Sequence, residues 1–185
     1  MTPKVARLGG QIGFFQAKGR HELVITAMPH LVPLTALATV ALTACLVAIA
    51  WIDAHSLLIP DRLSLPLIGL GLCWAALQPD APVVPHLIGA ALGYGILAII
   101  GSAYFHRTGT EGLGLGDAKL FAAAGAWLGW QALPQVLLIA ATTGLIFALI
   151  RKSQRASGSV QLAFGPWLAL GMWLVWIWQE VLPLA

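Results

Sequence analysis

Leu120–Ile150 runs for 31 residues without a charged side chain. As one α-helix it would reach about 46 Å, well beyond the roughly 30 Å hydrocarbon core of a bilayer. Gly129, Trp130, Gln131 and Pro134 offer a break, so the run is expected to form two shorter helices. Leu31–Ile52, Leu63–Pro79, Val84–Phe105 and Leu162–Trp178 are further apolar stretches without Asp, Glu, Lys or Arg. Charged residues make up 9% of the 185-residue chain, against about 25% in soluble domains, which excludes a soluble enzyme and a disordered tail. The expected fold is all-α, a polytopic membrane helix bundle of about six transmembrane helices. A polar N-terminal tail at 1–30 precedes a transmembrane domain at 31–183. The 20 glycines suit close helix contact, and the eight tryptophans suit membrane interfaces.

The remaining composition is less eventful. Cys45 and Cys73 form no C-x-x-C and are read as packing residues. The five histidines are scattered singly, so no metal site is expected. Ten basic residues against seven acidic ones are too few for a nucleic-acid surface, and no nucleic-acid partner is expected. The stretch before residue 30 lacks the three-part pattern of a removable signal peptide.

The charges orient the bundle. With six spans, the loop at 53–62 lies on the same side as the loops at 106–119 and 151–159. Arg62, Arg107, Lys119, Arg151, Lys152 and Arg155 fall there, whereas the loops near 79–85 and 130–135 hold no Lys or Arg. Positively charged loops are retained in the cytoplasm, so this side is expected to be cytoplasmic. The count leaves the basic tail on the opposite side, which requires either its translocation or a re-entrant segment before residue 30.

Asp53, Asp61, Glu111 and Asp117 all map to that cytoplasmic side, and Asp53 and Asp117 stand at span boundaries. Carboxylates at membrane depth are expensive and are usually paired or functional. Two of them on facing helices can share one proton, giving an acid and a base at neutral pH. That pairing suits amide hydrolysis: one carboxyl polarises the carbonyl while the other takes a proton from water. Simpler roles exist for each. Asp61 follows Pro60 before an apolar helix, as an N-cap would, and Asp117 also precedes a helix. Asp53 closes a helix at the end where the dipole disfavours a negative charge, so capping does not explain it. Glu111 reads as a solvated loop acid. Gly112, Gly114 and Gly116, at alternate positions, are either loop punctuation or sites of close backbone approach that suit an extended peptide.

Gly114-Leu115-Gly116-Asp117 resembles the G-x-G-D signature of intramembrane-type aspartyl proteases. Its setting, Glu111 through Leu120, is similar to the E-G-M-G-x-G-D-x-K-L stretch of bacterial type IV prepilin peptidases, and Gly125 through Pro134 continues the likeness. Upstream, Ile52-Asp53, Leu58-Ile59-Pro60-Asp61-Arg62-Leu63 and Leu65-Pro66 resemble that family's I-D-x(5)-L-P-D-x-L-x-L-P. Phe164-Gly165-Pro166 matches its P-F-G-P, with Ala163 replacing the first proline. The resemblance covers about residues 45–175. It implies that Asp53 and Asp117 are the catalytic pair. Asp61 corresponds to a recurring acid outside that pair, and Lys119 to a lysine that could tune Asp117.

The resemblance further implies an aspartyl endopeptidase of the bacterial inner membrane with its active site facing the cytoplasm. Such an enzyme removes the short basic leader of a type IV prepilin, or of a pseudopilin of type II secretion, by cutting after a Gly and before a hydrophobic residue. Neither a metal nor an organic cofactor is implied. Without paired C-x-x-C motifs, the chain resembles the short peptidase-only forms rather than the bifunctional N-methyltransferases. Alternatives are a preflagellin or signal-peptide peptidase type of G-x-G-D protease, a small transporter or proton channel, and a catalytically silent assembly factor.

Overall fold

The computed structural model describes residues 31–78, 82–109, 114–154 and 163–182. The tail at 1–30, Glu111, Gly112 and Arg155 lie outside them. The described residues form six α-helices: α1 (Leu31–Ser56), α2 (Asp61–Leu77), α3 (Val84–Thr108), α4 (Leu115–Leu128), α5 (Leu133–Gln154) and α6 (Gly165–Trp176). A 3₁₀ turn, Trp130–Ala132, joins α4 to α5, and a π-type turn, Ile177–Val181, extends α6. No strand occurs among the described residues. Three segments are long and apolar enough to cross a membrane: Pro33–Ser56, Val84–Thr108 and Trp130–Arg151. The helices α2, α4 and α6 are shorter, at 17, 14 and 12 residues. The protein is a multi-pass membrane helix bundle.

The break in the long apolar run falls where the sequence offered one. Gly129 ends α4 with φ +79°, which a side-chain-bearing residue rarely adopts, and donates its N–H to the Gly125 carbonyl at 2.9 Å. His86 covers another carbonyl that the ending helix leaves free, with Nδ1 3.0 Å from the Ala126 oxygen. The first helix, in contrast, does not stop at Asp53. It continues to Ser56, so Asp53 sits inside the last turn and the connection to α2 is only residues 57–60.

The core sits on α4, where every residue from Leu120 to Leu128 is buried. Hydropathy alone could not set it apart from its lipid-facing neighbours, because a membrane helix is apolar on both kinds of face. What distinguishes it is size: Ala122, Ala123, Ala124, Gly125 and Ala126 let α2, α3 and α6 come close. At the crossing with α3, a Cβ on Gly89 would stand 2.5 Å from the Gly125 carbonyl oxygen, and one on Gly93 would stand 2.5 Å from that of Phe121. Across the bundle, α1 and α6 run antiparallel. Trp173 and Trp176 donate their indole N–H groups to Thr43 and Thr39, each at 3.0 Å.

Three tryptophans are core residues rather than interfacial anchors. Trp74, Trp127 and Trp176 are 4–5% exposed or less and pack ring against ring, with centroids 5.2–6.5 Å apart. Trp127 also donates to the Leu67 carbonyl at 2.8 Å, so its polar atom is satisfied without water. Trp51 and Trp178 do face outward. Cys73 is exposed on α2 and is not the packing residue expected from its apolar surroundings.

The α3–α4 crossing generates a prediction. Gly125→Ala places a methyl group against the Gly89 backbone, where no flexible side chain can yield. It is expected to cost about 1–3 kcal/mol, read as a lower melting temperature in detergent. Gly95→Ala, whose Cβ would meet nothing within 4 Å, is expected to leave stability unchanged or raise it.

Candidate active site

Five helix ends converge at one end of the bundle: the C-termini of α1 and α3 and the N-termini of α2, α4 and α6. Between them lies a cavity of about 580 Å³, whose lining includes Asp53, Asp61, Gly114, Gly116, Asp117 and Lys119. Most of the residues singled out in the sequence therefore meet at one place. Pro60 is not on the cavity wall and takes the cap position of α2. Glu111 lies outside the described residues.

Asp53 and Asp117 are both buried, at 5% and 8% exposure, and are close enough for their charges to interact. Each is solvated by a backbone N–H at the start of a helix. The Asp53 carboxylate belongs to the last turn of α1, where the local dipole opposes it. The first residue of α6 offsets this, because the Gly165 N–H donates to Asp53 Oδ2 at 2.9 Å. That N–H is one of the donors a helix start leaves unpaired, and it lies at the positive end of the α6 dipole. A Cβ on Gly165 would lie 2.6 Å from the same oxygen. Glycine is thus the residue that permits the bond, and Pro166 beside it suits the first helical turn.

Asp117 is arranged in a similar way within its own helix. Gly114 caps α4 in an extended conformation, and Asp117, three residues on, accepts the Gly114 N–H. This is the reach-back half of a capping box. It leaves Asp117 Oδ1 buried with no hydrogen-bond partner among the described residues. An unpaired carboxylate oxygen beside a cavity is positioned to bind a water or a substrate atom.

The second motif glycine has a packing role. A Cβ on Gly116 would come 2.8 Å from that of Ile59. Ile59 is buried and is also pressed against Gly165, where an added Cβ would stand 3.1 Å from its Cδ1. The α1–α2 connection is therefore pinned between the starts of α4 and α6, which holds Asp53 beside Asp117. Close approach at Gly116 serves the protein's own chain rather than a bound peptide.

Asp61 does not act as a cap. Its carboxylate pairs with Lys119 Nζ, tying the start of α2 to α4. Lys119 thereby spends its charge on Asp61 two residues beyond Asp117. Gly165, Ile59, Leu57 and the α3 wall were not among the expected site residues. Gly165 carried a signal in Phe164-Gly165-Pro166, but the chain pattern gave it no role. Among the described residues, no group of three or more His, Cys, Asp or Glu side chains converges to hold a metal.

A helix bundle closing on two buried carboxylates defines a membrane protein with a di-aspartate site. The chain belongs to the type IV leader peptidase family, whose model matches residues 40–149. It is 43% identical over 148 residues to a prepilin leader peptidase/N-methyltransferase of Aeromonas salmonicida, covering 78% of this chain and 50% of that protein. The protein of the same name from Dickeya chrysanthemi is 47% identical over 125 residues, covering 67% of this chain and 44% of the relative. That from Escherichia coli K12 is 43% identical over 131 residues, with 68% and 58% covered. The chain thus spans about half the length of the curated relatives it matches. No solved structure matches it.

The Asp61–Lys119 pair is partly exposed, with side chains 57% and 23% accessible. A double-mutant cycle with Asp61→Ala and Lys119→Ala is expected to return a coupling of about 1 kcal/mol or less that shrinks as salt is added. A salt-independent coupling several times larger would contradict a solvated pair.

Proposed function

We propose that this protein is a membrane aspartyl endopeptidase that removes the short basic leader of a type IV prepilin or pseudopilin, with residues 31–183 as the peptidase unit. The observation that carries this reading is that Asp53 and Asp117, from different helices, are buried on the wall of one cavity, with one Asp117 oxygen unpaired among the described residues. The family and the names of the relatives supply the substrate class.

The chemistry follows from the pair. Two carboxyls facing one cavity can share one proton, which would leave an acid and a base at neutral pH. The ionised one accepts a proton from a water molecule, whose oxygen attacks the scissile carbonyl carbon. The protonated one donates to the carbonyl oxygen as it becomes a hydroxyl. Collapse of the resulting gem-diol breaks the C–N bond, and the leaving amine takes a proton from the pair. One end of the bundle holds both carboxylates, which argues against an ion path running through the membrane.

Cleavage is proposed on the cytoplasmic side, after a Gly. Supporting this side, Arg62, Arg107, Lys119 and Arg151 lie at the cavity end of the bundle, and the turns at the other end carry no Lys or Arg. Asp117 lies on the wall of the cavity at that end, which would admit water from that face.

Three outcomes test the reading with a tagged prepilin co-expressed in cells. Asp53→Asn and Asp117→Asn each lower leader removal by at least about 1,000-fold while the protein stays in the membrane. Gly165→Ala, which crowds the Asp53 oxygen, also impairs cleavage strongly. Asp61→Asn keeps activity within about tenfold of wild type, because a solvated pair contributes little. Complete loss with Asp61→Asn would overturn the assignment of the pair. Separately, a cysteine replacing Asp117, with Cys45 and Cys73 changed to Ala, is expected to react with a membrane-impermeant thiol reagent from the cytoplasmic side. Labelling from the opposite side alone would reverse the orientation.

A further inference from the structure

The first turn of α6 has little freedom to move. The Gly165 N–H stands 2.9 Å from Asp53 Oδ2. A Cβ on the same residue would stand 2.6 Å from that oxygen, so the backbone itself is close to the carboxylate. A small tilt or slide of the turn either breaks the hydrogen bond or drives the chain into Asp53. The turn is closed by Phe164, whose carbonyl accepts the N–H groups of Trp167 and Leu168, each at 3.1 Å. Trp167 is thereby tied to the donor at Gly165 through a single turn of backbone.

This turn is braced from outside by α5. Gly144, Phe147 and Arg151 recur at the three- and four-residue spacing that puts them on one face of that helix. The Trp167 indole lies against Gly144, where a Cβ would stand 3.3 Å from its Cδ1 and 3.4 Å from its Cγ. Its ring packs at 46° to that of Phe147, with centroids 5.0 Å apart. The Arg151 guanidinium carbon, 5.3 Å from the Phe147 centroid, completes the stack. Trp167 is half-buried against a buried glycine, whereas Trp51 and Trp178 face outward. Neither Trp167 nor these three α5 residues line the cavity that holds the aspartates.

We propose that Trp167 is a positioning residue: braced on Gly144 and Phe147, it sets the start of α6 so that the Gly165 N–H bears on Asp53. The inference rests on the peptidase reading for its catalytic consequence, and it goes further by giving a role to α5, which stands off the cavity wall. Trp167 acts through Gly165 rather than on the substrate. Misplacing a reacting group by about 1 Å from a distance can cost on the order of 100-fold in rate. The effect therefore falls on kcat and spares KM.

The test reads the donor directly. Phe164-Gly165 is the one Phe-Gly step in the chain, so isotopic labelling of Phe carbonyl carbons and Gly nitrogens isolates the Gly165 amide by NMR of the full chain in detergent. Trp167→Ala is expected to speed exchange of that amide with deuterated water at least about tenfold. It should also lower kcat for prepilin cleavage about 10- to 100-fold, with KM within about twofold. Trp167→Phe keeps a ring against Gly144 and Phe147 and should return both readings to within about threefold of wild type. Gly144→Ala probes the same contact from α5 and serves where Trp167→Ala does not fold: its methyl group crowds the indole, and exchange should speed up while kcat falls. Wild-type exchange at Gly165 in the folded variants overturns the proposal. A raised KM at unchanged kcat overturns it by placing Trp167 on the substrate. A lowered melting temperature with wild-type kcat and exchange overturns it by making Trp167 a packing residue only. Trp178→Ala should change neither reading, and an equal effect there would mark a general response to losing an outward-facing ring and overturn the proposal too. A wild type that cleaves no prepilin contradicts the peptidase reading alone, because exchange at Gly165 still decides whether Trp167 holds that donor on Asp53.

Discussion

A carboxylate in the last turn of an apolar helix needs a source of solvation, and here the source is the backbone of another helix. The Gly165 N–H supplies it to Asp53 across 112 residues of chain. That hydrogen bond decides much of what surrounds it. It fixes the start of α6 against the end of α1, and it demands a residue without a Cβ at position 165. It also leaves room for Ile59 to lodge beside that glycine and pin the α1–α2 connection. Asp117 uses the same device within its own helix, through the Gly114 N–H. Both aspartates are thus held by helix-start N–H groups, which can solvate a buried negative charge without bringing a counter-cation into the apolar bundle.

The site is precise because the helix that carries Asp117 is enclosed. Small residues along α4 allow close crossings with α2 and α3, and the aromatic cluster of Trp74, Trp127 and Trp176 fills the space behind them. Asp61 and Lys119 add a polar tie at the cavity rim, where solvent keeps it weak. Side chains on packed helices hold their geometry better than side chains on loops, which suits the proposed reaction of two carboxyls on one water.

Much of this was legible in the sequence, and the parts that were not share a cause. Uncharged run lengths gave the helices, and Gly129 gave the break, because these are local properties of the chain. The clustering of Asp53 and Asp117 at one end followed from counting spans. The partner of Asp53 was not legible, since an N–H donor 112 residues away carries no signature in the pattern around it. Asp61 read as a cap because caps are local, whereas its actual partner, Lys119, is 58 residues on. The tryptophans read as interfacial because the rule for Trp in membranes describes lipid-facing rings. Three of them instead meet one another in the interior. Leu57, with φ +54°, gave no sign at all, since a positive φ at leucine runs against its own preference.

In the proposed function Asp53 and Asp117 act as one unit on a tetrahedral, hydroxyl-bearing intermediate. Binding of a transition-state analogue tests it without turnover. The probe is a peptide spanning a prepilin leader junction in which the scissile amide is replaced by a hydroxyethylene group. Wild-type protein in detergent should bind it at least about 100-fold more tightly than the corresponding substrate peptide. That advantage should vanish equally in Asp53→Asn and in Asp117→Asn, with the melting temperatures preserved. An analogue bound no better than the substrate peptide, or an advantage that survives either substitution, would contradict the account.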